Sequence, residues 1–152
     1  MSKQTKHWTR TEFIESIDTT WKAYPVRLAQ LSEDEQARFT QQQGYARPQD
    51  LLAHLGAWME ETRRVMPYLQ RDERPPRDYI GDDDFNTRAV QRFAERPYAE
   101  VETWYEQQRV ALKQLVSQLP DAAFESKRVY RWLFGTIVKH YDEHPLPKRE
   151  SK

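Results

Sequence analysis

The chain has 152 residues, 32% of them charged, with 24 basic and 24 acidic side chains and a formal net charge of zero. That length fits a single domain spanning 1–152 with one continuous core, and the charge balance offers no basic excess for nucleic acid. Cysteine is absent, which excludes disulfides, thiolate metal sites and a cysteine nucleophile.

No apolar run approaches the ~18 residues of a membrane span, and no secretory leader is visible, so a cytoplasmic protein is expected. The mean hydropathy is low, at −1.01. Five Trp, eight Tyr and six Phe nevertheless fall at helical spacing and can supply a core.

The first helix opens on Thr9-Arg-Thr-Glu12, a capping-box pattern. Phe13, Ile17, Trp21, Tyr24, Leu28 and Leu31 then recur at steps of three and four, which marks one buried stripe. Pro25 removes a backbone donor inside that stripe, so a kink or break is expected near Trp21–Pro25. Ser32-Glu-Asp-Glu35 repeats the capping pattern and starts a short helical turn, and Gln41–Gly44 reads as a connecting loop.

The second helix starts near Arg47, with Pro48 at its first position and Asp50 near the positive end of its dipole. Leu51, His54, Leu55, Trp58, Thr62, Val65, Met66 and Leu69 form its inner face, and Pro67 should kink or shorten it. A loop at Arg71–Arg77 follows, then a short helix over Phe85–Ala94 that Asp82 to Asp84 can cap.

The third long helix follows Pro97, carries Val101, Trp104, Tyr105, Gln108, Leu112, Leu115, Val116 and Leu119 inward, and ends at Pro120. The last runs from about Val129 to Glu143, with Leu133, Thr136, Ile137, His140 and His144 on its inner face. No segment alternates with period two. The pattern predicts an all-α protein: a four-helix bundle with a long crossover, carrying the short extra helix, between the second and third helices. The ends, 1–8 and 145–152, are expected to be flexible.

Three of the four histidines fall on these inner faces. His140 and His144 are four apart, so their side chains share one face of a helix. His54 lies on a facing helix. Three imidazoles leave one position of a tetrahedral ion open. They suit Zn, Ni, Cu or Fe(II). The alternative is bland: hydrogen-bonded core histidines, or a pair placed at a helix C-terminus.

A ligating imidazole usually gives its second N–H to an acceptor, and Asp50, Glu61, Asp142 or Glu143 could serve. Gly56 and Gly135 sit inside these helices at a cost of about 1 kcal/mol each, which a close helix approach would explain. His140-Tyr-Asp-Glu-His144 also matches the H-x-x-E-H pattern of a class of zinc peptidases. Those enzymes need a large peptidase scaffold and another distant acidic ligand, and a five-position match in so short a chain is discounted.

Asp50-Leu-Leu-Ala-His-Leu-Gly-Ala-Trp58, Asp84-Phe-Asn86 and the stretch from Trp132 to His144 together resemble the DinB-like superfamily. Within it they look most like the ClbS/DfsB branch. The resemblance implies an up-down-down-up type bundle, often a homodimer. Its metal-binding members use one histidine on the second helix and an H-x-x-x-H pair on the last, matching His54, His140 and His144. Some ClbS-like members open or sequester reactive metabolites without a metal. Other members of the superfamily are thiol-dependent transferases, whose low-molecular-weight thiol would compensate for the missing cysteine.

The expected function is therefore a metal-dependent enzyme, hydrolase or thiol transferase, acting on a small electrophile with Zn, Ni or Fe at the three histidines. The alternatives are a metal-free ClbS-like binding or self-resistance protein and a purely structural role. Glu143 is the candidate proton acceptor, although it points about 100° away from His144 around the helix. Trp58 is a pocket wall or core packing. Asn86 holds a polar substrate group or caps a turn. Tyr141 donates a hydrogen bond or packs. The partners expected are a small molecule and a second copy of the chain, with no nucleic acid and no membrane.

Overall fold

The computed structural model describes residues 6–147, and these are all-helical, with no strand. The expectation of flexible ends falls partly outside them, at 1–5 and 148–152. Within the described part, Leu146 is buried, and the backbone of Trp8 donates to the Tyr130 hydroxyl. No helix among the described residues is long and apolar enough to cross a membrane.

Helix α1 covers residues 10–30. It begins with the expected capping box, in which Thr9 Oγ1 accepts from the Glu12 N–H and Glu12 accepts from the Thr9 N–H. Phe13, Ile17, Trp21, Tyr24 and Leu28 are fully buried, as their spacing requires. The helix does not break at Pro25. It widens instead into a π-helical turn over Ile17–Trp21 and continues as Lys22–Gln30.

Pro25 cannot donate to the carbonyl four residues back, that of Trp21. The buried Tyr105 hydroxyl donates to that oxygen at 2.7 Å, and Arg109 donates to the Ile17 carbonyl at 3.3 Å. The proline is tolerated because side chains of a neighbouring helix replace the lost backbone partner.

Ser32 and Glu35 form a second capping box, and the short turn read from the sequence is a ten-residue helix, α2 (Glu33–Gln42). It takes in part of the expected loop. Gly44, at φ +91°, makes the turn that follows. Helix α3 (Pro48–Gln70) has Pro48 in its first turn and passes through Pro67 to Gln70.

Helix α4 (Asp82–Arg92) lies in the crossover against α3. Its N-cap residue is Gly81, and the side chain of Asp84 accepts from the Ile80 N–H. Helix α5 (Tyr98–Gln118) packs along α3.

A 3₁₀ turn at Asp121–Glu125 leads into α6, residues 127–143, which Ser126 caps at its start. Helix α6 also contains a π-helical turn, Gly135–Lys139, immediately before His140. The Trp21 indole N–H donates to the Ile137 carbonyl inside that turn at 2.8 Å. The two widened turns are thus tied to each other, which fixes α6 against α1 at the point where the histidines begin.

The two glycines separate. A Cβ on Gly56 would lie 2.5 Å from Cζ3 of Trp104, so this glycine does admit a close approach, between α3 and a ring on α5. The same reading fails for Gly135. A Cβ there meets nothing within 4 Å, because the residue borders open space.

Candidate metal centre

His54 on α3 and His140 and His144 on α6 converge. His54 and His140 are buried and His144 is partly buried. One ligand nitrogen from each lies within 4.8 Å of the others. His140 Nε2 is 2.8 Å from His54 Nε2, and His144 Nε2 is 3.1 Å from it.

The outward nitrogen of His54 decides its tautomer. His54 Nδ1 is 3.0 Å from Asn86 Oδ1, and the Trp58 indole Nε1 is 2.8 Å from the same atom. An indole N–H can only donate, so the shared atom is the amide oxygen. His54 Nδ1 must then carry the proton, and its Nε2 offers a lone pair. The side-chain amide of Gln43 lies 2.9 Å from His144 Nδ1 and orients that ring.

His54 Nε2 therefore turns its lone pair toward His140 Nε2 and His144 Nε2, at 2.8 and 3.1 Å. Three imidazole nitrogens gathered this closely suit a shared cation. Burial argues against a proton: it pushes His54 down to about 3, helped by the neighbouring His144. Burial likewise lowers His140, with His54 and His144 adding to the effect, and it lowers His144. All three are neutral at pH 7, the state in which imidazole binds a metal. This donor set fits a divalent transition ion.

The groups orienting the ligands are amides rather than the carboxylates expected. Asp50 is paired with Arg47 at 2.6 Å, and Glu61 is held by Arg64 and by the Tyr79 hydroxyl. Asp142 and Glu143 are exposed and make no hydrogen bond to either histidine. Asn86 was singled out from the sequence, but not for orienting His54. Gln43 was missed because it sits in the turn before α3, and nothing in local periodicity points a turn residue at a histidine 101 residues downstream.

The histidines open into a cavity of about 460 Å³. Trp58, Asn86 and Glu143 line it, whereas Tyr141 does not. Tyr141 packs edge-on against Trp21 and Tyr24 instead. Tyr45, also missed, lines the cavity with its ring 5.0 Å from His54 and 6.3 Å from His144.

Two polar atoms face the cavity with hydrogen-bonding capacity to spare. Asn86 Nδ2 has no partner among the described residues, and no buried side-chain polar atom is left unpaired. Its two hydrogens are open to a ligand. Thr62 Oγ1 gives its hydrogen to the Trp58 carbonyl at 2.8 Å, so Thr136 is the donor in the 2.6 Å contact between the two hydroxyls. Thr136 Oγ1 thus presents only acceptor capacity to the cavity.

Fold and site together define an all-helical protein with a largely buried three-histidine cluster at one end of a cavity. The profile of the DinB superfamily, whose members often bind metal, matches residues 16–145, and the chain belongs to that superfamily. No curated protein and no solved structure gives a significant match.

Proposed function

We propose that the protein is a metal-dependent enzyme acting on a small electrophilic molecule, of hydrolase or thiol-transferase type, and that His54, His140 and His144 hold a divalent ion such as Zn, Ni or Fe(II). The observation that carries this reading is the convergence of three neutral imidazoles, with the His54 Nε2 lone pair turned toward the other two. The ion would supply Lewis acidity and lower the pKa of a nucleophile, either water or a low-molecular-weight thiol. Amides in place of carboxylates behind His54 and His144 leave its positive charge largely unoffset.

The chain's own residues take the other roles. Asn86 Nδ2 donates to an oxygen of the bound substrate, while its Oδ1 holds His54 in register. Trp58 fixes the Asn86 amide and supplies apolar wall. Thr136 accepts a hydrogen bond. Tyr45 covers one side of the histidines and limits water. Glu143, at the cavity rim, takes up a proton. Tyr141 has a packing role. The fold reads as a four-helix bundle of α1, α3, α5 and α6, with α2 and α4 as additions. Assignment to the ClbS/DfsB branch and to a homodimer belongs to the same proposal.

The test is turnover of aryl esters, and of chlorodinitrobenzene with added thiol, by metal-loaded wild type and by His144→Ala. Metal-dependent turnover that the variant lacks supports the reading. Saturable quenching of Trp fluorescence by the same compounds, with no product in any metal state, overturns it in favour of sequestration.

A further inference from the structure

The cavity has a direction. His54 faces His140, and eight residues further along α3 Thr62 meets Thr136, four residues earlier on α6. The two helices are therefore antiparallel, and both lead away from the histidines toward the same far end. On α3 that end is marked by Glu61, seven residues past His54, whose carboxylate holds Tyr79 and with it the crossover loop that carries Arg77. On α6 it is marked by Arg131, nine residues before His140. At 1.5 Å of rise per residue these positions lie about 10–14 Å from the histidines along the helices.

The basic side chains follow that direction. Arg77 and Arg131 both line the cavity. Arg77 leans over the Tyr79 ring at 5.2 Å. The Arg131 guanidinium makes no ion pair or hydrogen bond with any described residue. Of the two acids lining the cavity, Glu143 lies at the histidine end, three residues past His140. Asp82 opens α4, one turn before Asn86. Neither acid is paired with an arginine. Between the two ends, Trp58 and Trp132 supply apolar wall, with ring centroids 6.1 Å apart.

We propose that the substrate carries a carboxylate or similar anionic group roughly 10 Å from its reacting centre, and that Arg131, assisted by Arg77, is the residue that selects for it. A guanidinium presents a planar fork of donors that matches a carboxylate, which the compact ammonium of lysine does not. The apolar body of such a molecule lies along Trp58 and Trp132. This inference rests on the proposed function for the position of the reacting group, but the anion subsite itself does not require a metal.

The experiment is calorimetric titration with α,ω-dicarboxylates of increasing length and with monocarboxylates of matching length. Zn-loaded wild type, metal-free wild type, Arg131→Gln and Arg131→Lys are compared. Long monocarboxylates are expected to bind metal-free wild type, and to bind Arg131→Gln about ten-fold more weakly, the scale of one lost hydrogen bond to a charged group. With Zn, dicarboxylates should outbind monocarboxylates only once the chain is long enough to bridge the two ends, and Arg131→Lys should recover little of the loss. If the advantage of dicarboxylates is absent but the Arg131-dependent binding persists, the metal reading fails and the anion subsite stands. Equal binding of long carboxylates by wild type and Arg131→Gln overturns the subsite.

Discussion

Asn86→Leu is the most instructive perturbation of this site. Leucine has the same branched heavy-atom skeleton as asparagine, though it is bulkier, and it accepts no hydrogen bond. It removes the acceptor shared by His54 Nδ1 at 3.0 Å and Trp58 Nε1 at 2.8 Å. His54 is then free to rotate or to change tautomer, and in the wrong tautomer its Nε2 carries a proton where the ion needs a lone pair.

Loss of such an orienting contact typically lowers metal affinity by about 10–100-fold, or roughly 1.4–2.8 kcal/mol. Asn86→Asp keeps an acceptor at the same place and should retain tight binding, because a carboxylate raises the basicity of His54. The assay is a Zn titration in competition with a chromophoric chelator, with circular dichroism as the check on folding. Unchanged affinity in a folded Asn86→Leu protein would refute the argument that this amide sets the tautomer of a ligand.

Other consequences can be checked by urea denaturation. Gly56→Ala should cost about 1–3 kcal/mol through overpacking against Trp104, while Gly135→Ala should gain about 1 kcal/mol from helix propensity, since its Cβ meets nothing; equal effects would contradict the packing. Tyr105→Phe strips the donor from the Trp21 carbonyl that Pro25 leaves open, and should cost about 1–3 kcal/mol. The pH dependence follows from the lowered histidines. Their folded values lie below the unfolded value of about 6.5, so below that pH the unfolded chain binds more protons. Stability of the metal-free protein should therefore fall as pH drops from about 6.5 toward 5, by up to about 1.4 kcal/mol per pH unit for each such histidine. His140→Phe should show a shallower slope, and an unchanged slope would count against the buried neutral cluster.

The elements that local physics governs were readable in the sequence. Both capping boxes, the Pro48 start and the apolar stripes of the long helices appear where spacing and turn chemistry place them. The three-histidine cluster was readable because i,i+4 spacing puts His140 and His144 on one face, and the inner stripe of α3 points His54 at it. What was not readable depends on contacts between distant segments. Pro25 leaves its helix unbroken because Tyr105, eighty residues away, supplies the missing donor to the Trp21 carbonyl. The carboxylates nearest the histidines in sequence proved committed to Arg47 and Arg64, and amides from the turn before α3 and from the crossover took their place. Gly56 and Gly135 look alike in sequence, and only the position of Trp104 tells them apart.

The central claim is that the three histidines hold a metal ion. Its most direct test is metal content per chain by mass spectrometry, on tag-free wild type and on His140→Ala. One equivalent of a divalent transition metal is expected in wild type and almost none in the variant. Metal-free wild type, even after soaking with Zn, Ni or Fe(II) and desalting, would contradict it.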